Sequence, residues 1–148
     1  MPVRQKSLKP RVFFNASVVL AGLASPSGGS GKLLAHVKQK QITGVISEII
    51  LDEIFRHTKK LGLSKTTVER YLMTLFTPII SAPTLKSVHK YASIVIDQGD
   101  SHVLASSRKT HADFLVTLDK KHLLALQHKI KNIRIVSPKE LLEWLAKK

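Results

Sequence analysis

Hydrophobic and polar positions along the chain fall into short apolar runs separated by longer stretches with helical spacing. Four apolar runs, residues 11–14, 42–46, 114–117 and 134–136, have the length and composition of buried β-strands. A fifth run, residues 77–81, is also rich in β-formers but contains Pro78, so it is expected to be a strand or an extended connection. The pattern therefore predicts at least four strands spread over the whole chain.

Helices are predicted between these strands from apolar spacing and from capping residues. Ser47, Ser64 and Ser137 are each placed to cap a helix, and Ser137 is followed by a first-turn proline and a capping-box Glu140. Residues 25–31, rich in Ser and Gly, are expected to form a loop. One predicted helix ends near Leu23 and another begins after Ser64. The other predicted helices cover residues 32–40, 48–61, 85–91, 101–109, 120–127 and 138–145.

Strands that are repeatedly followed by helices favour an α/β fold. We expect a three-layer sandwich in which a mostly parallel central sheet is flanked by helices, with ligands gathering at the carboxyl ends of the strands. No internal repeat or linker divides the chain. Residues 1–10 are therefore interpreted as a basic arm, and residues 11–148 as one domain.

Composition narrows the function. The absence of cysteine excludes disulfides, thiolate zinc sites and cysteine nucleophiles. No apolar stretch could serve as a signal peptide or membrane span, so a cytoplasmic location is expected. The net charge of +14 favours nucleic acid as the partner over a merely solubilising basic surface, or over an anionic membrane. With eight aromatic residues (one Trp, two Tyr, five Phe), binding through the nucleic-acid backbone is expected rather than base stacking.

Three acids are the candidates for chemistry. Asp119 follows the predicted strand 114–117, Asp100 precedes the helix at Ser101, and Glu53 lies in the second turn of the helix after the second strand. Carboxylates that converge repel one another unless they share a cation, and hard oxygen ligands suit Mg²⁺ or Mn²⁺. Such a site can hydrolyse phosphodiesters without a protein nucleophile. The alternatives are a helix cap for Asp100, a turn residue for Asp119 and a surface acid for Glu53.

Two other motifs are weaker. The segment GGSGK at residues 28–32 has Pro26 where a phosphate-binding loop has its first glycine, and we expect a helix before it. The seven histidines never occur at helical spacing of three or four residues, which makes a zinc site improbable. His102 and His122 lie within three residues of candidate acids and could contact a substrate phosphate, although solvated surface histidines are the favoured interpretation.

The segments VFFNASVV, SPSGGSGKLL, VISEIILDEI, DQGDSHVLA, ADFLVTLDKKHLL and IVSPKELLEWL, taken in order, resemble the PIN-domain family over residues 11 to 145. The resemblance implies a parallel sheet flanked by helices and Mg²⁺- or Mn²⁺-dependent endonuclease cleavage of single-stranded RNA. It also implies a toxin of a prokaryotic toxin-antitoxin pair, neutralised by a small antitoxin protein and often dimeric.

The resemblance places the family's metal-binding acids on Glu53, Asp100 and Asp119, with Thr117 as a supporting hydroxyl and Ser17 as a nearby polar residue. Second-choice positions are Asp97 and Asp113. Where the family has its first aspartate, this chain has Asn15, whose amide oxygen is left as a weak metal contact. The chain is thus expected to be a nuclease impaired by Asn15, and the alternative is an inactive RNA-binding or antitoxin-binding module on the same fold.

Overall fold

A computed structural model describes residues 9–95 and 98–147 of the chain. Most of the predicted basic arm, residues 1–8, lies outside the described residues. Within the described part, four parallel strands form one sheet in the order β2-β1-β3-β4. The strands are β1 Arg11–Phe14, β2 Thr43–Val45, β3 Phe114–Val116 and β4 Ile135–Val136. The predicted α/β class and parallel sheet are confirmed.

Strand β1 is central in the sheet and pairs with a strand on each side. Val12 is in register with Gly44 of β2 and with Phe114 of β3. The chain leaves β1 toward β2 and later returns to the other side of β1 to form β3. The carboxyl ends of β1 and β3 therefore border the point where the strand order reverses, which is where open parallel sheets bind their ligands.

Both faces of the central strands are covered, since Val12–Phe14 of β1 and all residues of β3 are buried, and three helices start at their predicted caps. Side chains of Ser47, Ser64 and Ser137 each accept a backbone N–H from the first turn of the helix that follows. Ser137 and Glu140 form the complete capping box, and the backbone N–H of Ser137 holds the pKa of Glu140 below its ordinary value. The helices are α1 Ala16–Ala24, α2 Gly29–Lys38, α3 Glu48–His57, α4 Lys65–Leu75, α5 Leu85–His89, α6 Ser101–Lys109 and α7 Pro138–Ala146.

The core lies between the sheet and these helices. Phe13, Phe14 and Phe114 are fully or almost fully buried, and the ring of Phe14 meets Phe76 edge-on at 5.4 Å between centroids. Removing such a buried aromatic side chain typically costs 3 to 5 kcal/mol, on the order of a third of a domain's stability. None of the helices in the described part is long and apolar enough to cross a membrane.

The predicted boundary between the loop 25–31 and the helix that follows it is wrong. The predicted loop 25–31 is too long, because α2 already begins at Gly29. Glycine is required here by close packing: a Cβ on Gly31 would overlap the carbonyl group of Pro26. The run 77–81 is a connection and not a strand, which is one of the two forms predicted for it, and its Ile80 forms an isolated bridge with Ser47.

The predicted helix 120–127 is also wrong. This segment contains turns and a short 3₁₀ helix, Leu124–Leu126. The carboxylate of Asp119 accepts the backbone N–H of His122. The backbone N–H of Leu124 donates to the carbonyl of Asp119 five residues earlier, and that of Leu126 donates to Leu123 three residues earlier. A side-chain acceptor at the start of the segment thus replaces the backbone ladder that an α-helix needs.

Candidate functional site

A pocket of about 390 Å³ lies at the carboxyl ends of β1 and β3. It brings together four of the residues predicted for the site, although they come from four separate places in the chain. Asn15 follows β1, Glu53 lies on α3, Asp100 directly precedes α6, and Asp119 follows β3. The remaining lining residues are Ala16, Ser17, Leu20, His57 and Leu118.

Asn15 is buried and both of its polar side-chain atoms are engaged. Its Oδ1 accepts the backbone N–H of Ala16 at 2.8 Å, so Asn15 caps helix α1. Its Nδ2 donates to Oγ1 of Thr117 at 2.8 Å. An aspartate at this position would have a second carboxylate oxygen where the amide nitrogen now lies. Asn15 therefore preserves the local structure but contributes no negative charge to the pocket.

Two hydroxyl groups fix the segment that follows β3. Oγ1 of the fully buried Thr117 also accepts the backbone N–H of Asp119 at 3.1 Å, which links Asp119 to Asn15. Ser17 Oγ accepts the backbone N–H of Leu118 at 3.3 Å. Thr117 and Ser17 therefore support the position of Asp119.

Asp119 lies in a turn and also lines the pocket. Its Oδ1 accepts the backbone N–H of His122 at 3.0 Å, and its Oδ2 lies 3.0 Å from the ring Nδ1 of the same histidine. Asp119 therefore does stabilise a turn, which was the alternative interpretation, but its carboxylate still lines the pocket. His122, with 33% of its side chain exposed, is held against an acid, so the solvated-histidine interpretation is wrong for it.

Asp100 occupies the position before α6, but its side chain makes no capping hydrogen bond to that helix. The cap interpretation is therefore wrong. Its carboxylate instead approaches the pair formed by Asp119 and His122: one ligand atom from each of these three residues lies within 4.8 Å of the others. Two carboxylates and one imidazole at this spacing are a donor set suited to a divalent cation.

Glu53 is not an ordinary surface acid. Its side chain is 32% exposed, and Oε1 lies 3.2 Å from Nε2 of His102, whose own side chain is only 15% exposed. The neighbouring Asp52 shows the contrast, because it is 72% exposed and pairs with Arg56 one turn later. The solvated interpretation is wrong for His102 as well, since it holds Glu53 from helix α6.

His57 lines the pocket and was not singled out from the sequence. Its Nδ1 lies 2.8 Å from the backbone carbonyl oxygen of Glu53, one helical turn earlier on α3. That contact places the ring proton on Nδ1, which leaves Nε2 as the ring's acceptor atom. The spacing of four residues from a candidate acid on one helix was the signal that could have identified it.

The second-choice acids do not join the site. Asp113 precedes β3, at the opposite end of the sheet, where its Oδ2 accepts the backbone N–H of Arg11 at 2.7 Å. Parallel strands place their two ends far from each other, which makes Asp113 a wrong choice. Asp97 lies outside the described residues. The segment at residues 28–32 begins α2 after a preceding helix, as expected for a sequence that is not a phosphate-binding loop.

The charges lining the pocket are one-sided. Glu53, Asp100 and Asp119 supply three carboxylates, and no Lys or Arg is present among the lining residues in the part of the chain that is described. Converging carboxylates repel one another, and a bound cation relieves that repulsion where no Lys or Arg lines the pocket. The donors present fit a divalent metal ion, which Asp100, Asp119 and His122 are close enough to share, with Glu53 lining the same pocket.

Comparisons with known proteins agree with this fold. A family profile described as PIN domain matches residues 11–121. The fold is similar to the crystal structure of PAE2754 from Pyrobaculum aerophilum, with a TM-score of 0.58 and 20% sequence identity over 95% of this chain and 100% of that chain. At this identity the likeness concerns the fold alone. A search of curated proteins found no match.

Proposed function

The chain belongs to the PIN-domain family, and from that premise we propose that it is a metal-dependent endoribonuclease that cleaves single-stranded RNA. The observation that carries the proposal is the pocket in which Glu53, Asp100 and Asp119 converge without a lining Lys or Arg. PIN domains are generally nucleases that use divalent metals, and this donor set fits Mg²⁺ or Mn²⁺.

In this proposal Glu53, Asp100 and Asp119 hold the metal, and their neighbours orient them. When bound, a divalent ion supplies Lewis-acid stabilisation of the negative charge that develops on the phosphate. His102 holds the carboxylate of Glu53, and the amide of His122 holds that of Asp119. Thr117 fixes the backbone at Asp119. These contacts reduce the reorganisation that cleavage would otherwise require.

The substrate proposal rests on charge. The chain carries a net charge of +14, and Lys120 and Lys121 follow Asp119 directly, with both side chains exposed. Lysines beside an acidic pocket can hold the phosphates on either side of the bond to be cut. Such contacts recognise the backbone rather than the bases, so weak sequence selectivity follows.

We extend the proposal to the biological setting. The resemblance of the chain to prokaryotic PIN-domain toxins supports a role as the toxin of a toxin-antitoxin pair in the cytoplasm. The strong positive charge would attract an acidic antitoxin as well as RNA. Homodimer formation belongs to the same proposal. Competition between RNA and a co-purified small acidic protein would support this setting.

A second candidate function is favoured by Asn15. Because Oδ1 caps α1 and Nδ2 contacts Thr117, the residue serves the fold while the pocket has one negative charge fewer than the family's site. A chain that keeps the fold and loses this charge could bind RNA or an antitoxin without cutting RNA.

The deciding experiment is Asn15→Asp, assayed on single-stranded RNA with Mn²⁺, with a chelator control and with Asp119→Asn as the inactive control. Restoring about 3 kcal/mol of transition-state stabilisation should speed cleavage about a hundredfold. The unchanged chain should cut slowly, and the chelator should stop both reactions. If neither protein cuts RNA although both bind Mn²⁺, the chain is the non-catalytic module. If Asn15→Asp cuts no faster than the unchanged chain, Asn15 is not the cause of impairment.

A further inference from the structure

The corner of the pocket formed by Asp100, Asp119 and His122 differs chemically from the rest of the site. It joins two carboxylates to an imidazole nitrogen, with one donor atom of each residue within 4.8 Å of the others. Glu53 lines the same pocket but is not part of this trio. A cation bound at this corner would therefore meet a nitrogen donor that an all-carboxylate site does not offer.

Asp119 fixes the position of His122, and the two residues would be ligands of the same metal ion. Its backbone N–H donates to Oδ1 of Asp119, while its ring Nδ1 lies 3.0 Å from Oδ2. Two neighbouring ligand atoms on an octahedral ion with bonds of about 2.1 Å lie about 3.0 Å apart, from simple geometry. The two donors are thus already at the spacing that a shared ion needs, provided that the ring proton is on Nε2.

Asn15, which also lines the pocket, offers little to a metal ion. Asn15 is neutral, and its Oδ1 already accepts the first N–H of α1. The remaining negative charge lies on Glu53, Asp100 and Asp119, two of which contribute to the corner with His122. Binding therefore depends more on this corner than it would in a site with a carboxylate at residue 15.

We propose that His122 is a direct metal ligand, which together with Asp100 and Asp119 makes this centre select Mn²⁺ over Mg²⁺. The inference rests on the proposed metal-dependent function and names the ion and the ligand that this chain uses. Imidazole suits transition-metal ions, whereas Mg²⁺ prefers oxygen ligands and retains its waters. Zn²⁺ and Co²⁺ should bind at the same corner for the same reason.

The test is pulsed electron paramagnetic resonance of Mn²⁺ bound to the full chain, which detects an imidazole nitrogen coordinated directly to the ion. The unchanged chain should show this nitrogen coupling. His122→Ala should remove it and weaken Mn²⁺ binding at least about tenfold, while Mg²⁺ binding changes little. His57→Ala is the matched control, because it removes another imidazole from the same pocket and should leave the coupling intact.

A second variant separates the ligand role from a merely structural one. His122→Asp keeps a donor at the position but exchanges nitrogen for oxygen, so the preference should shift toward Mg²⁺. Mn²⁺ bound without nitrogen coupling in the unchanged chain would overturn the inference and leave the proposed function intact. Coupling that persists in His122→Ala would also overturn it. If the unchanged chain binds no Mn²⁺, both the inference and the metal-dependent function fail.

Discussion

The two ends of the central sheet carry pockets of similar size and opposite charge. The pocket at the carboxyl end, about 390 Å³, is lined by Glu53, Asp100 and Asp119, with no lining Lys or Arg among the residues that the structure describes. The pocket near the amino ends, about 410 Å³, is lined by Arg11 and Lys109, and its described lining contains no acid. Size therefore does not distinguish the two pockets, but charge does.

The polar groups at the amino end are occupied by structural contacts. The Arg11 guanidinium donates to the carbonyl of Thr110, and Lys109 donates to the Ser81 hydroxyl. These cations lie at the carboxyl end of α6, where the helix dipole favours them. The acid at this end, Asp113, accepts the backbone N–H of Arg11. The charged side chains at the amino end therefore stabilise the fold by linking neighbouring segments.

The carboxylates at the other end have different partners. Glu53 and Asp119 are each held by a histidine, and the spacing of Asp119 from Asp100 suits a cation. The comparison shows that an acid next to a strand is not informative until the end of the strand is known. Asp113 and Asp119 flank the same strand, β3, yet only Asp119 enters the pocket.

The largest expected difference between the two ends is in metal-linked stability. At a Mn²⁺ concentration of about 100 times its dissociation constant, binding should raise the unfolding free energy by about 2.7 kcal/mol. Asp119→Asn should abolish most of this increase, whereas Asp113→Asn, the matched substitution at the other end of β3, should retain it. Thermal unfolding with and without Mn²⁺ measures both. Equal responses from the two variants would contradict the assignment of the metal to the carboxyl end.

A smaller effect is expected for RNA binding. Replacing Lys120 and Lys121 by alanine should weaken binding to single-stranded RNA and lower the slope of log affinity against log salt by about 1.4, because each phosphate contact contributes about 0.7. The charge-matched control replaces Lys129 and Lys131, which precede β4 toward the amino ends of the strands. An equal loss of RNA affinity in the control would show that binding depends on net charge alone and not on the lysines beside Asp119.

The smallest effect concerns an acid at the carboxyl end that serves the fold. Glu140 accepts the backbone N–H of Ser137, which lowers its pKa. Ser137→Ala should cost about 1 kcal/mol of stability and leave Mn²⁺ binding unchanged.

Because the folded-state pKa of Glu140 is lowered, its stabilisation is present above the unfolded-state pKa and is lost as the pH falls through the folded-state value. Chemical denaturation of Glu140→Gln and the unchanged chain at neutral and acid pH should show this difference shrinking in acid.

Local signals were sufficient to predict three helix starts and the approximate positions of the four strands. Ser47, Ser64 and Ser137 cap helices as predicted, because capping depends on residues within one turn. The segment after Asp119 was predicted wrongly as a helix, since its apolar spacing is helical while a carboxylate takes the backbone N–H of His122. The secondary-structure prediction therefore failed where a side chain of the pocket competes with the backbone carbonyls for a backbone N–H.

The acids of the pocket were predicted from their positions after strands and before helices, but their partners were not. The contact between Glu53 and His102 joins two helices, so no local pattern could reveal it. His57 was accessible to prediction through its helical spacing from Glu53. The engagement of both polar atoms of Asn15 depends on Thr117 from a neighbouring strand end, which only the tertiary structure brings close.

Anomalous diffraction from crystals soaked in Mn²⁺ would locate the proposed metal ion at one end of the sheet or the other. We expect an anomalous peak at bonding distance from the carboxylates of Asp100 and Asp119, at the carboxyl end of β3. A peak beside Asp113 at the other end of the sheet, or none near Asp100 and Asp119 at a Mn²⁺ concentration that stabilises the protein, would contradict it.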